Sequence, residues 1–245
     1  MKNFLLLTIL ITSLFRLGGQ FKIPAYEITS NKSDRSDLKA VPGRTYSTNF
    51  PLTESPISES DNWINGSKEG LDWGYISTTA GQTHTHPGTA PYADATALLT
   101  GKWGPDQMVL ATVGNIENAC NSDTCYPEVE LRLRSTLSAH LCNGYEIAFS
   151  LKPNGRAYLI IVRWNGPLGD FTYLFNQSGS QYQAKTGDIV KATVVGNVIS
   201  AYKNGVLIGQ ATDKIFSSGN PGMGFNEQIY NGDYGFSSVT ASDSP

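Results

Sequence analysis

Read for its alternation of apolar and polar side chains, the chain is a succession of short strands. Residues 127–136 alternate most cleanly. Val129, Leu131 and Leu133 point one way, and Glu128, Glu130, Arg132 and Arg134 point the other. A period of two with one apolar and one polar face predicts a strand that is half in a core. Residues 144–151 repeat the pattern, with Tyr145, Ile147, Phe149 and Leu151 on one face. Residues 156–164 are apolar on both faces, as a central strand should be. Residues 73–79, 108–113, 170–175 and 234–242 are further strand candidates.

Two turn signals sharpen the C-terminal half. Gly196-Asn197 separates the apolar stretches 188–195 and 198–203, and Asn204-Gly205 separates 199–203 from 206–209. Asn-Gly tolerates the positive φ angles of a type I′ turn, so two successive hairpins are predicted. No helical periodicity emerges beyond the first twenty residues. Ten to twelve short strands at this spacing predict an all-β fold, a two-sheet antiparallel β-sandwich of the jelly-roll kind.

The N-terminus departs from this pattern. Lys2 precedes an apolar run from Phe4 to Phe15. That run is too short to span a bilayer and fits an export signal over residues 1–19. Residues 20–56 are polar and irregular and read as an arm or linker. Residues 57–245 form the predicted sandwich domain. The expected location is therefore secreted, extracellular or periplasmic, with no membrane span left after signal cleavage.

Charge excludes one class of partner. The chain has 245 residues, a net charge of -3 and a pI near 5.6, without the basic footprint of a nucleic-acid binder. Its three cysteines, Cys120, Cys125 and Cys142, lack the spacing of a zinc site. In an exported chain Cys120 and Cys125 are the favoured disulfide pair, although Cys142 could replace either.

From about residue 62 to 243 the sequence resembles concanavalin-A-like, laminin-G-type jelly-roll domains. The resemblance is carried by Gly187-Asp188-Ile189-Val190-Lys191-Ala192-Thr193-Val194-Val195-Gly196, by Ile199-Ser200-Ala201-Tyr202-Lys203-Asn204-Gly205, and by Ser218-Gly219-Asn220-Pro221-Gly222-Met223-Gly224-Phe225, read as a turn. It implies two curved sheets, a concave face that takes a glycan, and room for a structural Ca²⁺ near the chain ends, with no cofactor required. Asp61 and Asp233 are acidic candidates there, but no dense ligand run accompanies them. The fold hosts lectins, hydrolases and lyases alike, so it does not fix activity.

The candidate chemistry centres on the charged strand. Glycoside hydrolases of this superfamily carry Glu-x-Asp-x-Glu; here Glu128-Val129-Glu130 is followed by Arg132 instead of a third acid. The neighbouring arginines are expected to keep both glutamates ionised, which suits a poor general acid. A polysaccharide lyase would use Arg132 and Arg134 to neutralise a uronate, with His140 and Tyr145 as base and acid. Arg163 could also neutralise, and His84, His86 or Tyr158 could move protons. Glu130, Arg132, Arg134, Arg163 and Trp164 are the candidate ligand-binding residues, since sugar rings stack on aromatic planes beside polar groups. The bland alternative for the row is a solvated, ion-paired sheet face, and for Trp164 a core residue with an interior hydrogen bond. His84-Thr85-His86 has no third metal ligand and is expected to be a polar loop.

These readings converge on a lectin-like jelly roll that binds a polysaccharide or other glycan, without settling whether it is an enzyme. A lyase acting on an acidic glycan is the second reading. A self-associating surface or filament protein is the third.

Overall fold

The structure, a computed structural model, describes residues 43–153, 155–226 and 234–245. The expected export signal and most of the expected arm lie outside them. Fifteen strands are described: β1 (Thr45–Thr48), β2 (Trp63–Asn65), β3 (Tyr75–Thr79), β4 (Gln82–His86), β5 (Ala95–Leu99), β6 (Gln107–Val113), β7 (Glu128–Ser138), β8 (Leu141–Ser150), β9 (Tyr158–Gly166), β10 (Phe171–Ser178), β11 (Ile189–Val195), β12 (Val198–Lys203), β13 (Val206–Thr212), β14 (Asn220–Asn226) and β15 (Phe236–Ser242).

They form two antiparallel sheets and a hairpin. One sheet has the order β1-β15-β6-β11-β12-β13, the other β10-β9-β8-β7-β14-β5-β2, and β3 pairs with β4. Val129, Leu131, Tyr145, Ile147, Phe149, Leu159 and Ile161 of the seven-stranded sheet meet Val109, Ala111, Val190, Ala192, Val194 and Ile199 of the six-stranded sheet in one core. Burying each large aliphatic or aromatic side chain there contributes about 1.5–3 kcal/mol.

The turn chemistry matches the hairpins. Asn204 and Gly205 have φ of 50° and 80°, the left-handed pair a type I′ turn requires. The Asn204 amide also accepts from Ile189 N–H at 2.8 Å.

Several elements differ from expectation. β1 lies within the stretch expected to be an arm, yet it pairs with β15 along its length. Its small polar residues gave no apolar period to read. Asn220–Asn226, expected as a turn, is instead a strand between β7 and β5. Its Pro221 and glycines disguise it, but a side chain at Gly222 would collide with the Ala97 carbonyl. His84 and His86 lie on β4 rather than in a loop. They bond to Thr79 and Ser77 hydroxyls on β3 at 2.8 and 2.7 Å. No helix among the described residues is long and apolar enough to cross a membrane.

Cys120 and Cys125 are joined in a disulfide that closes a short loop before β7. Cys142 is a buried free thiol, with its pKa pushed up to about 12, chiefly by burial.

Candidate functional site

The alternation along β7 decides what faces outward. Val129, Leu131 and Leu133 enter the core, so Glu128, Glu130 and Arg132 stand on the opposite, outer face of the seven-stranded sheet. On the paired β8, Glu146 lies across from Arg132. Asp94, at the entry to β5, completes the set. Arg132 Nη2 lies 2.5 Å from Glu130 and 3.5 Å from Asp94, and Nη1 lies 2.6 Å from Glu146.

This row is ion-paired but not solvated. Arg132 and Glu130 are 0% exposed. Burial, followed by the neighbouring carboxyls, pushes the pKa values of Asp94, Glu128 and Glu130 well above the usual carboxylate range. That overturns the expectation that nearby arginines hold the glutamates ionised. Desolvation outweighs the one guanidinium close enough to oppose it.

Gly224 of β14 makes room for the cluster. A methyl group at this position would overlap Glu130 Oε2 and lie 3.0 Å from Arg132 Nε. Trp164 of β9 roofs it: the Arg132 guanidinium carbon is 5.9 Å from the indole centroid. The indole N–H donates to Glu146 Oε2 at 2.6 Å. Trp73, Cys142, Val162 and Trp164 pack as a second small apolar cluster.

A groove of about 500 Å³ lies over this floor. Asp94, Glu128 and Glu146 line its base; Tyr92, Tyr126, Tyr158, Trp164, Phe171 and Tyr173 line its sides. The aromatics are braced against one another. Phe171 meets Tyr92, Trp164 and Tyr173 with centroids 5.3–5.4 Å apart. At the other end Tyr126 faces Tyr158, whose hydroxyl bonds to Glu128.

The other candidates sit elsewhere. Alternation fails at Arg134, where φ is 47° and the pairing with β8 is interrupted. Its guanidinium turns to the carbonyls of Pro105, Phe216 and Gly196 at 2.6, 2.8 and 2.8 Å. Arg163 points away from its neighbour Trp164 and pairs with Asp213. Tyr145 lies in the core and donates to the same Asp213 at 2.7 Å. His140 is at the exposed β7–β8 hairpin, 2.9 Å from Asp72. The quartet Arg132, Arg134, His140 and Tyr145 therefore does not share a site, whereas Glu130, Arg132 and Trp164 do.

Asp94, Glu146 and most of the groove aromatics were not singled out by sequence reading. Glu146 had a signal: it occupies the polar face of the alternating stretch 144–151. Asp94 had none, because it stands immediately before β5, outside any stretch of alternating apolar and polar residues.

Asp94, Glu130 and Glu146 each offer an oxygen within 4.8 Å of the others, a donor set that could hold a cation. Calcium asks for six to eight oxygen ligands. Here the Arg132 guanidinium already stands among these three carboxyls, so the set fits an internal cation better than Ca²⁺. Asp61 is exposed and bonds with Ser58; Asp233 lies outside the described residues.

No protein-family model matches the sequence, and no curated protein sequence matches it. Solved structures do. The metal-free carbohydrate recognition domain of Emp46p has a TM-score of 0.56 at 13% identity, over 82% of this chain and 97% of that one. The exoplasmic/lumenal domain of VIP36, bound to Ca²⁺ and Man3GlcNAc, has a TM-score of 0.51 at 12% identity, over 81% and 88%. The fold is concanavalin-A-like. A carbohydrate-binding module from Bacillus subtilis, CBM66, is similar at a TM-score of 0.47 and 15% identity, over 74% and 91%. At such identities the likeness concerns the fold, and it does not single out the laminin-G branch.

Proposed function

We propose that this concanavalin-A-like domain binds a glycan in the groove over β7–β10. The observation that carries the reading is the pairing of six aromatic side chains with a floor of carboxyl oxygens. Aromatic faces stack on the C–H faces of sugar rings, and carboxyl oxygens accept from sugar hydroxyls. Groove aromatics are held by mutual contacts and by Glu128 and Glu146, so little ordering is left to occur on binding. The Cys120–Cys125 disulfide supports placing the protein outside the reducing cytosol. Binding to an immobilised polysaccharide panel tests the proposal. Retention on at least one glycan is expected, and no retention on a broad panel would overturn it.

Hydrolysis is the second reading, favoured by one observation. Burial keeps the Glu128 carboxyl protonated to a higher pH than usual, the state a general acid requires. Release of reducing ends from a bound glycan, lost in Glu128→Gln, would establish it. The lyase reading has less support, because Arg132 is sealed beneath the floor and Arg134 and Arg163 are committed elsewhere.

A further inference from the structure

The charged side chains that line the groove, Asp94, Glu128 and Glu146, are all acids. They are 5%, 5% and 4% exposed. Each uses one oxygen internally: Asp94 Oδ2 and Glu146 Oε2 toward Arg132, and Glu128 Oε1 toward Tyr158. The second oxygen of each accepts no hydrogen bond from the described residues. Glu130 Oε1, buried beside them, also has no partner among the described residues. Asp94, Glu130 and Glu146 share the Arg132 guanidinium, and the other cation nearby, Lys152, lies over the Tyr126 ring within electrostatic reach of Glu128; four carboxyls against two cations leave the site short of positive charge. The raised pKa values of Asp94 and Glu128 are the response expected of such a shortage.

The walls favour the same kind of ligand. The ring faces of Trp and Tyr attract cations through their quadrupoles, most strongly where water is excluded. An ammonium group offers three donors and a full charge to carboxyl oxygens. A uronate or sulfate would bring further anionic oxygens to a cluster already short of positive charge, and no lining side chain is cationic.

We propose that the groove selects glycans carrying free, protonated amino groups, such as hexosamine units, over their N-acetylated, uncharged or anionic counterparts. This rests on the glycan-binding reading and names the ligand class for that site. The ammonium seats on the second oxygens of Asp94, Glu128 and Glu146, with the sugar ring against the Tyr173–Phe171–Tyr92 wall.

Titration calorimetry on the full chain tests it. The probes are oligosaccharide pairs identical except that the amine is free or acetylated, across several linkages, with glucose and uronate oligomers alongside. Measurements are made at low salt and at a pH where the sugar amines are protonated. The free amine should bind at least about tenfold tighter than its acetylated twin, the scale of one desolvated charge or cation–π contact. Salt should narrow that gap. Glu128→Gln keeps the acceptor for Tyr158 and should close most of the gap between the two probes, whatever it does to the affinity of either one alone; Asp94→Asn provides an independent second variant. Equal or tighter binding of the acetylated, uncharged or anionic probes overturns the selectivity and leaves glycan binding standing. Absence of binding by every probe overturns both.

Discussion

The indole N–H of Trp164 donates to Glu146 Oε2 at 2.6 Å, and that oxygen also lies 2.6 Å from Arg132 Nη1. One carboxyl therefore joins the aromatic wall of the groove to the buried charge beneath it. Wall and floor should respond together when either is changed.

Arg132→Met removes the cation shared by Glu130 and Glu146. Stripping one partner from a buried ion cluster costs about 3–5 kcal/mol. The loss should be large at neutral pH and smaller in acid, where protonation discharges the orphaned carboxyls. Urea unfolding at both pH values measures it, and an equal loss at both would contradict the charge account.

Gly224→Ala tests the room beneath the cluster, because a Cβ there overlaps Glu130 Oε2. Overpacking of this kind costs about 1–3 kcal/mol. The urea midpoint should fall accordingly; an unchanged midpoint would show that the cluster shifts freely.

The pH dependence of stability has a definite sign. Asp94, Glu128 and Glu130 have raised pKa values, first from burial and then from one another and Glu146. Over the interval between the ordinary and raised values, the folded state holds protons that the unfolded chain has released. Stability contributed by these groups is therefore highest below the ordinary carboxylate range and falls as pH rises through it. The thermal midpoint should climb on lowering pH from about 7 to about 5, and Glu128→Gln should flatten the climb. Asp213 works oppositely. Burial alone would raise its pKa, but bonds from Ile215, Tyr145 and Arg163 hold it low. Its contribution is lost only as pH falls below the ordinary range. A midpoint that drops steadily from neutrality would contradict the raised pKa values.

Arg134 and Arg132 are two residues apart but should behave differently. Arg134→Ala frees the carbonyls of Pro105, Phe216 and Gly196 and should cost at least about 2 kcal/mol, the scale of hydrogen bonds to a charged donor. Glycan affinity should be unchanged in the folded variant. A selective loss of affinity without destabilisation would place Arg134 in the site instead.

The sandwich was legible wherever packing imposes a period. Residues 127–133 and the Asn204-Gly205 hairpin carry their structure in local pattern, and both fold as read. Arg134 was misread because a bulge flanked by Gly144 and Gly219 breaks the alternation; side chains at either glycine would meet its backbone. β14 was misread because its glycines serve neighbours rather than a turn. Of the site, the Glu130–Arg132 row was visible on its strand. Its burial was not, since Trp164 and Glu146 arrive from other strands and Asp94 from the segment before β5, and burial rather than the charge pattern sets the protonation of the floor.

Glycan binding before and after loss of the exposed wall is the most direct test of the account. Tyr92 and Tyr173 are 46% and 54% exposed and line the groove, so replacing both with alanine should spare the core. The account predicts only the modest fall in thermal midpoint expected from losing two ring contacts with Phe171 and a loss of affinity of about tenfold or more for the best ligand of the panel, the scale of two aromatic contacts. Undiminished affinity in the folded double variant would contradict it.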